Sequence, residues 1–389
     1  MDGDREKQFS KLLEYFSDSL DMPETRYKEA EERYKAVGTW LGQEDSPLSS
    51  YKPEIYPQGS FKLGTVVKPV SQTDEYDIDL VCQLELSKHD ITQQELKRIV
   101  GERLKANGNY ARMLDKEGRR CWTLNYAESA KFHMDILPSV PDEYGWLLRQ
   151  GIPHEFAQHA VCITDKEEPD WLFSNPKGYA EWFKDRMKTI LLEGKRILAA
   201  ERRVEIEDVP DYSVKTPLQR AVQILKRHRD IMFEQDSDNK PVSIIITTLA
   251  ASAYNNQTDL YEALVSIIDG MPKHITNNGG VLSVLNPVNP EENFADKWQE
   301  HPERATKFLS WLRQVRKDIE SALKERGVSL VAGSMKAAFG EKAVNEAAER
   351  FGKAYTAQRE AGTLKMMAGT GILGSTGTTT VKKHTFYGV

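Results

Sequence analysis

Cysteine is scarce in this chain, and the three cysteines that occur form no group. Cys82, Cys121 and Cys162 lie far apart, and no two of them make a CxxC pair. Scattered cysteines in odd number argue against a disulfide framework and against a zinc site. We expect each to be a small core residue of a protein in a reducing compartment.

Long apolar runs and nucleotide-loop motifs are also absent from the sequence. No stretch of about 18 apolar residues occurs, and the N-terminus is charged, so we expect neither a membrane span nor a signal segment. The sequence also lacks a GxGxxG or Walker loop, and its strands and helices follow no regular βαβ order. This argues against a Rossmann or P-loop fold.

An excess of one charge is missing as well. The chain of 389 residues has a formal net charge of −6 and 29% charged residues, which is ordinary for a soluble cytoplasmic protein. This balance argues against a dedicated nucleic-acid binder with a strongly basic surface, although a local basic groove is compatible with it. The 39% of hydrophobic residues is ample for a sizeable core, in two domains or in one bilobed domain.

The residue pattern changes along the chain from mixed to mostly helical. Before residue 178, apolar spacing predicts helices over 5–42 and 91–106, strands over 76–84, 121–126 and 132–137, and a short strand or turn over 61–70. Pro138 is expected to end the last of these strands. Beyond about residue 178 the predicted elements are helices, over 178–200, 216–234, 241–254, 258–269, 301–325 and 335–360.

This pattern predicts an α+β fold of two lobes with a tail. Residues 1–200 would form a catalytic lobe with a mixed β-sheet and N-terminal helices, and residues 201–361 a helical C-terminal lobe. Residues 362–389 are rich in glycine and threonine and cannot bury enough apolar surface to fold alone, so they are predicted to be a flexible tail.

The candidate chemistry begins with carboxylates in a strand that is otherwise apolar. Asp77 and Asp79 lie within the segment 76–82, and the period of two of a strand points both to the same face. Two neighbouring carboxylates repel each other unless a divalent cation lies between them. A third carboxylate, Asp135, lies in a later apolar strand, on the face opposite to Met134.

Three such carboxylates suit phosphoryl transfer with two metal ions. In-line attack on a nucleoside triphosphate uses two cations that activate the attacking oxygen and neutralise the leaving pyrophosphate. Mg²⁺ prefers hard oxygen ligands and keeps some of its waters. A lone Asp-x-Asp is more often a solvated acidic turn, but its apolar strand and the third aspartate favour the metal interpretation.

A Gly-Ser pair precedes the aspartates. Gly59 lets the backbone approach a phosphate closely, and Ser60 adds a hydroxyl beside the backbone N–H donors. Alone, the pair would be interpreted as a plain turn after Pro57. Together with the aspartates it predicts a loop that binds a triphosphate.

These motifs resemble the GS-x(n)-DxD-x(n)-D pattern of the polymerase-β-like nucleotidyltransferases. The segments that carry the pattern are 58–65, 74–80 and 133–138. Three further segments, 225–230, 241–249 and 286–293, resemble the helical half of the bacterial cGAS/DncV-like enzymes, which are called CD-NTases.

The resemblance implies a synthase that joins nucleoside triphosphates such as ATP and GTP into a cyclic di- or trinucleotide. Such products are second messengers of CBASS antiphage defence. The resemblance implies two Mg²⁺ ions, which Mn²⁺ could replace, held by Asp77, Asp79 and Asp135. Asp135 would also help to activate the acceptor hydroxyl.

The resemblance also implies the residues that hold the phosphates. Gln58, Gly59 and Ser60 would bind the triphosphate, and Lys226 and Ser243 would contact phosphates from across the cleft. Without the resemblance, Lys226 would be interpreted as one charge of a solvated helix face. Arg119 and Arg120, close before a strand, would likewise be a solvated turn by default, although they could touch phosphates.

The sequence departs from the family pattern in two places. Ile244 follows Ser243, where the animal relative has an aromatic residue that stacks on the base, so another ring must supply the stacking. No Cys/His cluster matches the zinc thumb of the animal DNA sensor, so activation by double-stranded DNA is not implied.

The chain end matches a further family property only in part. In some CBASS operons a ubiquitin-activating-like enzyme conjugates the extreme C-terminus of the nucleotidyltransferase to a target. Here Val389 follows Gly388, so a terminal glycine is absent, and a disordered end is the alternative.

Two other functions stay open at the level of sequence. A linear nucleotidyltransferase acting on RNA or protein would use the same carboxylates. A catalytically inactive nucleotide-binding scaffold is disfavoured, because degenerate relatives would be expected to lose their metal ligands first.

Overall fold

The computed structural model describes residues 2–71, 75–126, 132–209, 211–369, 371–374 and 377–382. Its helices are α1 (Asp2–Ser19), α2 (Glu24–Gly42), α3 (Gly59–Leu63), α4 (Gln93–Lys105), α5 (Gly108–Met113), α6 (Gly145–Arg149), α7 (His154–Ala157), α8 (Pro176–Arg186), α9 (Lys188–Arg202), α10 (Pro217–Met232), α11 (Ser243–Ala253), α12 (Leu260–Gly270), α13 (Lys297–Glu300), α14 (Pro302–Lys324), α15 (Val328–Phe339) and α16 (Glu341–Glu360). None of the described helices is long and apolar enough to cross a membrane.

The strands are β1 (Glu54–Pro57), β2 (Tyr76–Gln83), β3 (Trp122–Asn125), β4 (Phe132–Pro141), β5 (Val161–Ile163), β6 (Leu172–Ser174), β7 (Thr276–Asn278), β8 (Val281–Ser283), β9 (Leu285–Asn286), β10 (Asn289–Asn293), β11 (Lys365–Met366), β12 (Leu373–Gly374) and β13 (Thr379–Thr380). The first six form one mixed sheet, and the others form three small antiparallel sheets.

The six-stranded sheet is the centre of the N-terminal half. β2 and β4 run parallel at its middle, and β1 pairs antiparallel with the outer edge of β2. The other edge of β4 pairs first with β3 and then, from Ser139, with β5, which in turn pairs with β6. Ile78, Leu80 and Met134 are buried in one core with residues of α2 and α4, because apolar and polar residues alternate along β2 and the first half of β4.

The strands predicted around the aspartates are confirmed by β2, β3 and β4, and the helix between them by α4. Two details of that prediction are wrong. β4 continues past Pro138 to Pro141, because Pro138 lies where the neighbour of β4 changes from β3 to β5, and a residue without an N–H is tolerated there. The stretch 61–70, predicted as a strand or turn, begins with the end of the short helix α3.

The C-terminal half is a helical lobe around one large apolar core. α10 contacts α11, α12 and α15 within it. The first helix of the chain, which the sequence assigns to the catalytic lobe, also lies in this core. Its Phe16 is fully buried and packs edge-on against Phe339 of α15, with the ring centres 5.6 Å apart.

Two of the long predicted helices are each two shorter helices. The segment 178–200 contains the break between α8 and α9 at Met187. The segment 335–360 contains the break at Gly340, whose φ of 92° is disfavoured for a residue with a side chain. The chain thereby folds α15 back against α16, which a continuous helix would prevent.

Part of the segment predicted as a tail has secondary structure. β11 pairs with both β12 and β13. The Tyr355 hydroxyl of α16 donates a hydrogen bond of 2.9 Å to the backbone oxygen of Leu373, which ties this small sheet to the helical lobe. Gly388 and Val389 lie outside the described residues.

His228 forms a buried polar contact in the helical lobe, where it is 1% exposed. The indole N–H of Trp311 donates to its Nδ1 at 3.0 Å, so the proton of the neutral ring lies on Nε2, which is 2.9 Å from Asp318. Burial lowers the pKa of His228, and the bond to Asp318 opposes this shift.

We expect His228 to make the protein sensitive to acid. Its pKa is lower in the folded than in the unfolded state, so its contribution to stability is present above about pH 6.5 and is lost as the pH falls. His228→Gln should therefore lose less free energy of unfolding than the wild type between about pH 7.5 and about pH 5.5, measured by urea denaturation. His89→Gln, at an exposed position, is the control. An unchanged pH dependence in His228→Gln would contradict the assignment.

Candidate active site

The parallel pairing of β2 and β4 gathers the three aspartates on one face of the sheet. Asp79 lies directly opposite Asp135, and Asp77 lies opposite His133. The residues between them, such as Ile78, point into the core on the other face. The prediction that Asp77 and Asp79 share a face is confirmed.

The aspartates repel one another because they are close together, and two of them, Asp79 and Asp135, are also partly buried. Burial, and then the neighbouring charges of Asp135 and Asp77, raise the pKa of Asp79 to about 7. The pKa of Asp77 is raised as well, first by burial and then by Asp135. A bound divalent cation would relieve this repulsion and hold the carboxylates ionised.

Thr123, a residue of the neighbouring strand β3, holds one of the aspartates by a hydrogen bond. The Thr123 hydroxyl donates to Asp135 Oδ1 at 2.5 Å. His133 is occupied with Glu75, at 2.9 Å, and with Asn125, at 2.7 Å, rather than with the aspartates. His133 therefore stabilises the rim of the site and is not directed at the carboxylates.

Within the described part of the chain, no three His, Cys, Asp or Glu side chains are already gathered into a closed cation site. The carboxylates nevertheless fit Mg²⁺, which binds in many enzymes through one or two carboxylates and completes its shell with substrate phosphates and water. The donor set is made of hard oxygens, and its mutual repulsion is what a divalent cation offsets.

Gly59 is required by the way the loop before α3 approaches Asp79. The backbone N–H of Gln58 donates to the Asp79 carbonyl at 2.8 Å, and the chain then turns at Gly59 with a φ of 58°. A Cβ at Gly59 would lie 2.4 Å from Asp79 Oδ2. The Gly-Ser pair is therefore fixed against the carboxylates, with Ser60 in the first turn of α3.

Lys226 reaches the same place from the helical lobe. It is 4% exposed on α10, and its Nζ donates to both the backbone oxygen and the hydroxyl of Thr65 at 3.2 Å. Burial, with some repulsion from Arg229, lowers the pKa of Lys226 to about 7, while Asp79 opposes the shift. An anion bound beside it would favour the charged form.

The alternative of a solvated helix face at Lys226 is wrong. Arg227 and Arg229 are buried as well. Arg229 donates to the Ser243 hydroxyl at 2.8 Å and to the Pro241 carbonyl at 3.0 Å. Arg229 thereby connects α10 to the start of α11 and positions Ser243 there.

The carboxylates lie where two cavities meet. The Lys226 cavity, of about 1030 Å³, has a lining that includes Ser60, Asp77, Lys226 and Ser243. The Glu292 cavity, of about 800 Å³, has a lining that includes Gln58, Arg120, Cys121 and Glu292. Gly59, Asp79 and Asp135 line both cavities, so one cleft passes over the carboxylates.

All the predicted site residues line the cleft, but one of them lies in a different cavity from the one expected. Gln58, grouped with Gly59 and Ser60 for the triphosphate, lines the Glu292 cavity and not the Lys226 cavity. Arg120 also lines the Glu292 cavity, and its Nε donates to the buried carboxylate of Asp165 at 2.9 Å. Arg120 is exposed in a bend, which agrees with the expected solvated turn, and its guanidinium also lies at the edge of the cleft.

Sequence reasoning missed Glu292, Ser174 and Thr65. Glu292 lies within a segment that the resemblance singled out, but a run of Asn, Pro and Glu reads as a surface loop. Ser174 and Thr65 have no local signal, because their importance comes from partners more than 100 residues away in the chain: Glu292 is 118 residues from Ser174, and Lys226 is 161 residues from Thr65.

Comparison with known proteins agrees with this geometry. The family described as "Second Messenger Oligonucleotide or Dinucleotide Synthetase domain" matches residues 6–186. The chain is 31% identical over 386 residues to the c-di-GMP synthase of Roseivirga ehrenbergii, covering 98% of this chain and 97% of that protein. It is 27% identical over 325 residues to the cyclic dinucleotide synthase CdnG of Bradyrhizobium diazoefficiens, covering 78% of this chain and 73% of that protein.

Solved structures share the fold. The structure of Bradyrhizobium diazoefficiens CdnG in complex with GTP superposes with a TM-score of 0.69 at 24% identity, covering 87% of this chain and 97% of that chain. Vibrio cholerae DncV, a cyclic AMP-GMP synthase, superposes with a TM-score of 0.53 at 16% identity, covering 89% of each chain.

Fold and relatives together define a nucleotidyltransferase with a mixed β-sheet and a helical C-terminal lobe. The chain belongs to the cGAS/DncV-like family of CD-NTases, whose members synthesise cyclic oligonucleotides. The resemblance seen in the sequence and the predicted enzyme class, a cyclic oligonucleotide synthase, are thereby confirmed.

Asp79→Asn should reduce nucleotide transfer by at least about 1000-fold, because it removes a charge at the point where the two cavities meet. The same change should raise the melting temperature of the nucleotide-free protein, because it removes a partly buried carboxylate that its neighbours repel. The exposed Asp90→Asn is the control and should match the wild type in both measurements. Near-normal turnover in Asp79→Asn would refute the assignment of the carboxylates.

Gly59→Ala should lower turnover at least about tenfold, because the added Cβ collides with Asp79 and the left-handed backbone conformation adds about 1–2 kcal/mol of strain. Gly108→Ala, where a Cβ meets nothing within 4 Å, is the matched control. Steady-state rates and melting curves of the two variants check this. Equal rates in the two variants would show that the approach of the loop to Asp79 is not needed.

Proposed function

We propose that this enzyme condenses two GTP molecules into cyclic di-GMP. The observation that carries the two-nucleotide reaction is the position of Asp79 and Asp135 at the junction of two cavities, each large enough for a nucleotide. The choice of GTP is supported by 31% identity over nearly the whole chain to a protein named c-di-GMP synthase.

One nucleotide would place its triphosphate in the Lys226 cavity. Ser60 offers a hydroxyl and a backbone N–H, Lys226 a buried cation, and Ser243 a hydroxyl whose own proton is free because it accepts from Arg229. These groups are held by the buried contacts described above before substrate arrives. Little rearrangement of these groups is therefore needed when the reaction takes place.

The second nucleotide would lie in the Glu292 cavity, with a ribose hydroxyl at Asp135. The hydroxyl oxygen bonds to the α-phosphorus of the first nucleotide, the bond to the β-phosphate breaks, and pyrophosphate leaves. The hydroxyl proton passes to the Asp135 carboxylate, which Thr123 holds in place. A second transfer of the same kind closes the ring and releases a second pyrophosphate.

Asp77, Asp79 and Asp135 would hold two Mg²⁺ ions, which Mn²⁺ could replace. When bound, such ions neutralise the triphosphate and the charge that develops on the attacking and leaving oxygens. The support on this chain is the raised pKa of Asp77 and Asp79, which burial and then the charge of neighbouring aspartates cause, since a bound cation would offset both effects.

The product test uses labelled GTP, alone and with the other three nucleoside triphosphates, followed by phosphatase and mass spectrometry. We expect one phosphatase-resistant product from GTP alone, with the mass of cyclic di-GMP, and no product without Mg²⁺ or Mn²⁺. A cyclic product that needs another base would refute the choice of GTP. A labelled polymer would refute cyclisation itself.

We also propose that the product is a second messenger of antiphage defence and that a ubiquitin-activating-like enzyme conjugates the C-terminus. Only the family resemblance supports this, since Gly388 and Val389 lie outside the described residues. Deleting 386–389 should abolish conjugation by the enzymes of the same operon while turnover by the purified synthase stays unchanged. Conjugation that persists would refute the partner.

A further inference from the structure

Glu292 is a carboxylate at the boundary between the two lobes. It lies on β10, which packs across β6 of the central sheet. The Asn286 side-chain amide donates to its Oε2 at 2.7 Å, and the Ser174 hydroxyl lies 3.1 and 3.2 Å from its two oxygens. The side chain is thereby held from both lobes while it lines the Glu292 cavity.

No cation neutralises this carboxylate within the described part of the chain. Its hydrogen-bond donors there, Asn286 and Ser174, are both neutral. Burial raises the pKa of Glu292 to about 7, although both hydrogen bonds and the more distant charge of Arg120 act against the shift. Such a group is costly in the free protein, and further N–H donors from a ligand would stabilise its ionised form.

The lining of the Glu292 cavity combines charged side chains with aromatic rings. The aromatic side chains that line the same cavity are Phe173, Tyr179, Phe294 and Trp298. Tyr179 already uses its hydroxyl in a bond of 2.8 Å with Thr248, so it offers its ring rather than a polar group. These rings could provide the stacking that Ile244 cannot.

Aromatic rings beside the Glu292 carboxylate match the edge of one purine. Guanine presents two adjacent donors, N1–H and the exocyclic 2-amino group, and a carboxylate can accept from both at once. Adenine presents an acceptor at N1, which a carboxylate repels. Inosine keeps N1–H and lacks the amino group.

We propose that Glu292 selects guanine for the nucleotide in the Glu292 cavity, by accepting hydrogen bonds from N1–H and the 2-amino group. This inference rests on the proposed use of GTP and adds the residue that enforces it. Asn286 and Ser174 are positioning residues, because they fix the carboxylate without touching the base.

The test compares GTP, ITP and ATP on the wild type, Glu292→Gln and Glu291→Gln. The wild type should prefer GTP to ITP by about tenfold or more, since a site that pairs a polar group penalises the analogue without it. In Glu292→Gln, kcat/KM for GTP should fall about 5- to 150-fold. GTP and ITP should become nearly equal, and adenine should enter the product, because an amide can accept from the adenine amino group and donate to N1.

Glu291→Gln is the matched control. Glu291 is the exposed neighbour of Glu292 and lines the same cavity, so its variant should keep the wild-type order of substrates. Glu292→Asp provides a second variant should the amide impair folding. Because aspartate is one methylene shorter, its carboxylate should lie farther from the base and reduce the difference in kcat/KM between GTP and ITP.

Three outcomes would overturn this inference. The first is a wild type that uses ITP as well as GTP, which requires no variant. The second is a Glu292→Gln enzyme in which all three substrates lose activity by the same factor, which indicates a structural role only. The third is a Glu292→Gln enzyme with an unchanged GTP to ITP ratio. A wild type that makes no cyclic product from GTP would overturn the proposed function as well, so the two failures are distinguishable.

Discussion

Repulsion among three aspartates on one face of a parallel strand pair is the constraint on which the rest of the site depends. The register of β2 and β4 sets Asp79 opposite Asp135 and leaves Asp77 two residues away on the same face. Burial strengthens the repulsion, because the opposite face of both strands is core. A bound divalent cation would offset this repulsion.

Groups from both lobes surround that negative charge. Lys226 enters from the helical lobe and is held on Thr65, beside the Gly-Ser loop that contacts Asp79. On the far side, Glu292 accepts bonds from Ser174 of the sheet and Asn286 of the other lobe. The Lys226–Thr65 and Ser174–Glu292 contacts span the two lobes, so the cleft depends on how the lobes pack and not on either alone. The two cavities differ in chemistry. The Lys226 cavity offers hydroxyls and a cation, and the Glu292 cavity offers aromatic rings and the carboxylate of Glu292.

Local sequence patterns predicted much of this arrangement, and particular residues show where such patterns fail to predict the structure. The alternation in β2 placed Asp77 and Asp79 on one face because a period of two has a single geometric outcome. Pro138 was predicted to end β4, but proline breaks a ladder only where an N–H is needed, and the neighbouring strand changes at that point. Lys226 could be interpreted as solvated from its own helix, since burial of α10 on all sides is decided by α11, α12 and α15.

The sequence by itself determined the chemistry: apolar strands with aspartates, a Gly-Ser turn and the family resemblance they carry. Those features are local, and their physical consequences do not depend on distant residues. The tertiary structure decided which of the two cavities each group lines. Gln58 and Ser60 line different cavities, Arg120 bonds to Asp165 at the edge of the cleft, and Glu292 is partly buried between Ser174 and Asn286. These outcomes follow from contacts between residues far apart in the chain, and the packing of the lobes brings those residues together.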